Sequence, residues 1–396
     1  MRLGLLTSWD PMDRNSWSGV PSHAMDALGE HYEVVPLGPV RAEVPRWAQR
    51  VGRAVEVVAR ANPELSHSLA LSTEFAKAFR PRLEAAKVDA IVAFAASTEI
   101  ARLDIDVPYA YVSDATFALM DGFYREFSRL FPPSRWQGDY IEGRAIRRAT
   151  LAAFPSKWAR DSAVRDYGCA EDRALVIPFG ANVRPHRAAP KRWPPRRQGV
   201  RLLWIGKRWD DKGGPLVLDT LAILRGLGVS ATLTVCGVSL PELAGNPHVE
   251  VVEYLDKNDP AGRAAFEGLF ERSDLFVFPT RFDTLACVLS EAAAFGLPCV
   301  VADIAGVSTN VVDGVTGRLM PPTATAGDYA REILSLLDDP ARYLAWSETA
   351  RRRHEVLLNW PTWAATFARE FSARLSASER PQGAGQVSSA KREAAL

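Results

Sequence analysis

The sequence lacks the features that would commit it to several large classes of function. Four cysteines (Cys169, Cys236, Cys287 and Cys299) are spread over 396 residues with no C-x-x-C spacing. Each lies in or beside an apolar run, as small core residues of a reducing compartment do. A net charge of +1 leaves the chain without the strongly basic domain of a nucleic-acid binder. No apolar run approaches the length of a membrane span. Only Leu3 to Leu6 separate the single Arg2 from polar sequence, so a signal peptide is not expected and a cytoplasmic protein is. No G-x-G-x-x-G follows Leu3–Leu6, which argues against a dinucleotide-dependent redox enzyme, and no Walker motif is present.

What is present is the composition of a soluble globular protein, in a chain too long for one ordinary core. Short β-branched runs alternate with helical stretches, the pattern of parallel α/β sheets. Arg2 to Leu6 predicts a first strand, followed by a polar loop, Gly19 and a helix from about Pro21 to Leu28. Residues 45 to 87 read as helical and basic, with Arg46, Trp47, Arg50, Arg53 and Arg60 on one side. Such a stretch can lie on a membrane surface. The interleaved Glu56, Glu64, Glu74 and Glu84 favour a solvated face instead. Further strands are expected at Asp89–Phe94 and Tyr109–Val112, with Asp114 just past the second. Helices are expected over Glu142–Ala153 and Lys157–Tyr167. Phe117, Phe123, Tyr124, Phe127 and Phe131 read as a packed core helix in preference to the lining of an acceptor pocket.

A Pro- and Lys/Arg-rich stretch with little apolar content, 183–199, marks a linker. The expected organisation is a first domain over 1–182, a second over 200–356, a helix over 357–376 and a Ser/Ala/Gly-rich tail over 377–396. The second domain opens with strand Arg201–Ile205 and the loop Gly206-Lys207-Arg208-Trp209-Asp210-Asp211-Lys212-Gly213-Gly214. Cations and glycines at a strand-to-helix loop suit a diphosphate, because backbone donors, a helix N-terminus and point charges converge there.

The most informative stretch runs from Pro279 to Pro322. The strand Leu275–Phe278 is followed by a short polar loop and an Ala-rich helix from about Leu285 to Phe295, closed by Gly296 and Pro298. Asp283 stands before that helix and Glu291 within it. A carboxylate on a helix of Ala, Leu and Phe is costly to bury alone, so two readings stay open: a solvated edge, or a ligand site.

This stretch resembles the acidic signature of family-4 retaining glycosyltransferases of the GT-B fold. Asp283 falls on the first acid of that signature and Glu291 on the second. Thr284, Leu285 and Ala286 fall on its Gly-Phe-Gly, and Phe295 to Pro298 on its helix stop. Val312 to Leu319 is similar to the family's turn and following strand, and Lys207 and Lys212 to its Arg and Lys. The resemblance implies two Rossmann-like domains with parallel sheets facing a cleft, and a C-terminal helix crossing back to the first. It implies transfer of a hexosyl-type group from a nucleotide-diphosphate sugar, a UDP-sugar favoured, to an acceptor hydroxyl with retained configuration. No metal or separate cofactor is implied. Glu291 would hold the ribose. Gly19, Lys207, Lys212 and the amides of Thr284, Leu285 and Ala286 would hold the diphosphate. Asp283 and Asp114 would face the sugar. The acceptor would be a small molecule, a glycan or a lipid-linked species, with no nucleic-acid partner and membrane contact as the less favoured reading. The alternatives are a sugar-nucleotide-binding protein without turnover and a GT-B epimerase or phosphorylase. A glycosidase using Asp283 and Glu291 is disfavoured, since both acids lie on one loop and helix.

Overall fold

The computed structural model describes residues 1–183, 191 and 199–378. Its frame is two six-stranded sheets, each parallel throughout. The first holds β1 (Arg2–Leu6), β2 (Glu33–Pro36), β3 (Ala90–Phe94), β4 (Tyr109–Val112), β5 (Leu151–Phe154) and β6 (Ala174–Val176). The second holds β7 (Val200–Ile205), β8 (Ala231–Cys236), β9 (Val249–Val252), β10 (Leu275–Phe278), β11 (Cys299–Ala302) and β12 (Gly317–Met320). Helices cover both faces of such sheets, which is why central strands read as unbroken apolar runs. All residues of β3, β10 and β11 are buried.

Strand order places the sites. The first sheet runs β2-β1-β3-β4-β5-β6 and the second β12-β11-β10-β7-β8-β9. Order reverses between β1 and β3 in one and between β7 and β10 in the other. At such switch points the loops leaving the carboxyl ends of the strands diverge and leave a crevice. The loops after β7 and β10 are those that carry Lys212 and Asp283.

The helices used below are α1 (Val20–Leu28), α2 (Leu69–Ala86), α3 (Pro132–Arg148), α4 (Gly214–Gly226), α5 (Val288–Ala294) and α6 (Trp360–Ser378). The last crosses back to the first domain. Trp360, Trp363, Ala364, Phe367 and Phe371 join Leu3, Leu5, Val20, Phe94 and Phe179 in one buried cluster. Trp360 stacks on Phe179 with ring centroids 5.7 Å apart, and its indole N–H donates to Asn182 Oδ1 at 2.8 Å.

Several expectations are corrected. The helix expected over 142–153 begins at Pro132 and ends at Arg148. Two prolines start it, where their missing N–H groups are no loss, and a reading that treats proline as a breaker places the start too late. The basic stretch 45–87 is not one helix. It breaks after Arg60, in the left-handed conformation (φ 50°), and resumes at Leu69 behind the Ser68 cap. Its first piece buries only Ala48 and Gly52, and Trp47 is 63% exposed. The five aromatics from Phe117 to Phe131 are not one core helix: Phe117 is buried, while Phe123 and Tyr124 lie in a loop at the domain boundary. Most of the expected linker, 183–199, and of the tail, 377–396, lies outside the described residues. Among the described residues no helix is long and apolar enough to cross a membrane.

Candidate active site

Two loops of the second domain are laced together. After β7 the chain turns through Gly213, a left-handed residue (φ +72°), into α4. A Cβ built on Gly213 would stand 2.0 Å from the Pro279 carbonyl oxygen, so this approach requires glycine. The Arg281 N–H donates to the Asp211 carbonyl at 2.9 Å, and Trp204 Nε1 to the Lys212 carbonyl at 3.0 Å. Lys212 is thereby aimed at the other loop. Its Nζ donates to Asp283 Oδ2 and to the Phe282 carbonyl, both at 2.6 Å. Asp283 Oδ1 accepts the N–H groups of Ala286 (2.6 Å) and Leu285 (3.2 Å). Charge-assisted bonds of this kind are the strong ones.

The helix expected from Leu285 begins only at Val288. Ala286 is the reason: its φ of +56° is left-handed and cannot continue a helical turn. Two of the three amides expected to meet a diphosphate are thus already bonded to Asp283. The Leu285 side chain is buried in the first domain's cluster beside Trp360 and Phe179. At its far end α5 closes as expected. Gly296 (φ +59°) donates to the Ala293 carbonyl and Leu297 to that of Ala292, both at 2.9 Å.

Glu291 is 3% exposed, which removes the solvated-edge reading. Burial raises its pKa, opposed by the nearby Lys257 ammonium and by a hydrogen bond from the Asn182 backbone. Asn182 is a junction that sequence reading missed. Its side-chain N–H donates to the Ser18 carbonyl at 3.1 Å while its oxygen takes the Trp360 indole. The available signal was its place in the Pro178–Asn182 turn that leaves the first sheet.

Asp114 lies across the cleft, past β4. Its Oδ2 accepts the Thr284 hydroxyl at 2.7 Å, so residues 170 positions apart close the gap between domains. Burial raises the Asp114 pKa, and the like charge of Asp283 adds to it. Tyr124 lies near the same Thr284 hydroxyl and near both carboxylates; burial first, then those charges, raise its phenol. Arg208 spans the same gap, with Glu126 at 2.6 Å and its guanidinium over the Tyr124 ring. Tyr124 and Arg208 were also missed as site residues, since nothing local in the sequence pairs them.

The remaining candidates are more distant members. Gly19 (φ +96°) ends a left-handed run with Trp17 and Ser18 and starts α1. His23, on that helix, bonds the Gly19 carbonyl through Nδ1 (2.9 Å) and faces Arg14 through Nε2 (3.2 Å). Burial holds its pKa down at about 4. Lys207 is exposed. Lys257 instead reaches the Gly19 loop, donating to the Ser18 carbonyl at 2.8 Å.

This geometry has relatives. Residues 199–339 match the model of the family described as Glycosyl transferases group 1. That match lies within the second domain and spans about a third of the chain. It is 29% identical to a glycogen synthase of Mycobacterium tuberculosis over 205 residues, 48% of each chain. It is 28% identical to a D-inositol 3-phosphate glycosyltransferase of Thermobispora bispora over 237 residues, 55% of each. The chain therefore spans about half the length of the curated relatives it matches. Among solved structures it is similar to sucrose-phosphate synthase from Thermosynechococcus elongatus. That likeness has TM-score 0.69 and 16% identity, and covers 95% of this chain and 99% of the other. The fold is GT-B, as the family-4 resemblance implied.

Proposed function

We propose that this protein is a glycosyltransferase that moves a hexosyl-type group from a nucleotide-diphosphate sugar to an acceptor hydroxyl, with retention and without a metal, in the cytoplasm. The observation that carries this reading is the Lys212–Asp283 pair at a strand switch point, with Glu291 buried behind it and Asp114 opposite. In this reading Glu291 accepts the ribose hydroxyls, whose hydrogen bonds offset the cost of its buried charge. Lys212, with Lys207 and the Gly19 loop, meets the diphosphate and stabilises the negative charge that grows as the glycosidic bond breaks. The donor takes over the Lys212 ammonium and the amides now held by Asp283, freeing that carboxylate to face the sugar. Asp114 and Tyr124 bound the sugar from the first domain, and the acceptor enters from the same side. The family model, and the names of the group 1 relatives, support a glycosyl donor. A UDP-sugar is the favoured one.

The test is release of nucleoside diphosphate from a panel of UDP-, GDP- and ADP-sugars, wild type against Glu291→Ala. One donor should be hydrolysed slowly, and the variant should lose nucleotide affinity at least tenfold. Binding without release, in the presence of candidate acceptors, would favour a sugar-nucleotide-binding protein without turnover. Unchanged affinity in Glu291→Ala would sink the assigned role.

A further inference from the structure

The helical flank of the first domain carries a second concavity, away from the strand switch points. It is a cavity of about 610 Å³ whose lining includes Lys77, Arg80, Arg102, Asp104, Tyr140 and Arg144. Residues three or four apart share a helix face, which is how α2 supplies Lys77 and Arg80 and α3 supplies Tyr140 and Arg144. The segment between them is pinned in place. The Arg102 N–H donates to Ser72 Oγ at 3.2 Å, and the Ala101 carbonyl accepts Arg144 Nε at 2.6 Å. Four cations thus line one cavity with a single carboxylate, in a chain whose net charge is only +1.

The acids nearby are weak competitors for those cations. Asp104 is 78% exposed and holds Arg80 at 3.2 Å, and Glu74 holds Lys77 at 2.7 Å. Exposed pairs of this type are weak and screened by solvent, so a doubly charged phosphate ester displaces them readily. Arg144 is engaged through Nε, which leaves the terminal nitrogens of its fork for the two-pronged contact that arginine makes with phosphate. Tyr140 adds a different element. It stacks on Trp136 at 5.6 Å with an interplanar angle of 22°, and both rings are exposed. An exposed stacked pair offers a flat apolar platform to a ring. The volume lies in the range of small-molecule sites.

We propose that this cavity binds a phosphate-bearing metabolite of nucleotide size, its phosphate among Arg80, Arg102 and Arg144 and its ring against the Tyr140–Trp136 pair. The site is separate from the cleft and does not depend on the donor reading.

Titration calorimetry of the full chain with inorganic pyrophosphate and with UMP tests it, since both probes also fit the cleft. Each should bind at the flank, as a site that Lys212→Ala leaves untouched, whether or not a second site is seen in the cleft. Any cleft site is the one that Lys212→Ala removes. Arg102→Ala weakens the flank site at least tenfold and leaves the cleft site alone, and Arg144→Lys, which keeps the charge, weakens it less. Trp136→Ser lowers UMP affinity at the flank and spares pyrophosphate. Arg102 is exposed, so its variant reports even where an Arg144 variant misfolds. One site only, lost in Lys212→Ala and untouched in Arg102→Ala, overturns the proposal. Sedimentation with phosphatidic acid vesicles that depends on Arg102, without any flank binding of UMP, overturns the metabolite and assigns the cavity to a lipid headgroup.

Discussion

Ala286 holds a left-handed backbone that costs an alanine about 1–2 kcal/mol, and it sits where it delivers an amide to Asp283. Ala286→Gly relieves that strain while adding chain entropy to the unfolded state. Its unfolding free energy in urea should stay within about 1 kcal/mol of wild type, on the stabilising side. Ala292→Gly, in the buried middle of α5, should cost about 1 kcal/mol or more. Equal losses at the two positions would refute the strain. A second prediction concerns Glu142, buried with its carboxylate accepting the Tyr111 hydroxyl at 2.9 Å. Burial pushes its pKa up to about 7. The unfolded chain then releases this proton at lower pH than the folded one, so Glu142 subtracts stability as pH rises from about 4.5 to 7. His23, depressed to about 4, works in the opposite direction over about the same range, so only a difference measurement isolates Glu142. Relative to wild type, Glu142→Gln should gain about 2–3 kcal/mol between pH 5 and 7.5 in chemical unfolding. A difference independent of pH would refute it.

At the scale of elements, the loop between β7 and α4 decides where Lys212 points. Gly213→Ala places a Cβ against the Pro279 carbonyl, so the loops after β7 and β10 must part. The expected result is about 2 kcal/mol or more of lost stability, together with at least tenfold weaker UDP binding by calorimetry. Gly226→Ala is the control: nothing lies within 4 Å of that Cβ, and helix propensity favours alanine by up to about 1 kcal/mol. Strands were legible in the sequence because parallel sheets bury both faces, so Leu275–Phe278 and Cys299–Ala302 stand out as short apolar runs. Asp283 and Glu291 were legible for a related reason: each is an acid where the surroundings are apolar or turn-forming. The late start of α5 was not legible, because Ala286 is a good helix former whose φ is set by Asp283 and the packing around Leu285. Nor was the Thr284 contact with Asp114, whose two residues approach only when the domains do.

For the whole molecule, the domains meet through α6, Leu285 and the Phe123–Phe282 ring contact, and also through polar bonds. Asn15 Nδ2 donates to Asp256 Oδ1 and Asn258 Nδ2 to Asp13 Oδ1, each at 2.7 Å, while Arg14 donates its N–H to Asn258 Oδ1 at 2.9 Å. Exposed bonds of this kind exchange with water at a net value of about 1 kcal/mol each. They hold an arrangement without locking it, as interfaces between domains commonly do. Removing all three in Asn15→Ala/Asn258→Ala should leave thermal stability nearly unchanged and enlarge the radius of gyration seen by small-angle X-ray scattering. An unchanged radius would mean that Asp114–Thr284 and Arg208–Glu126 suffice to keep the cleft shut. The crossover helix carries a consequence of another kind, one of timing. The core of the first domain takes Trp360, Trp363, Phe367 and Phe371 from the far end of the described chain. A ribosome makes β1 long before α6, so the first half emerges with one apolar face bare and keeps it bare while the second half is made. That interval, about 10–40 seconds at ordinary elongation rates, is when a nascent chain is most exposed to aggregation and chaperone capture. The half that is synthesised first is therefore the half that finishes folding last.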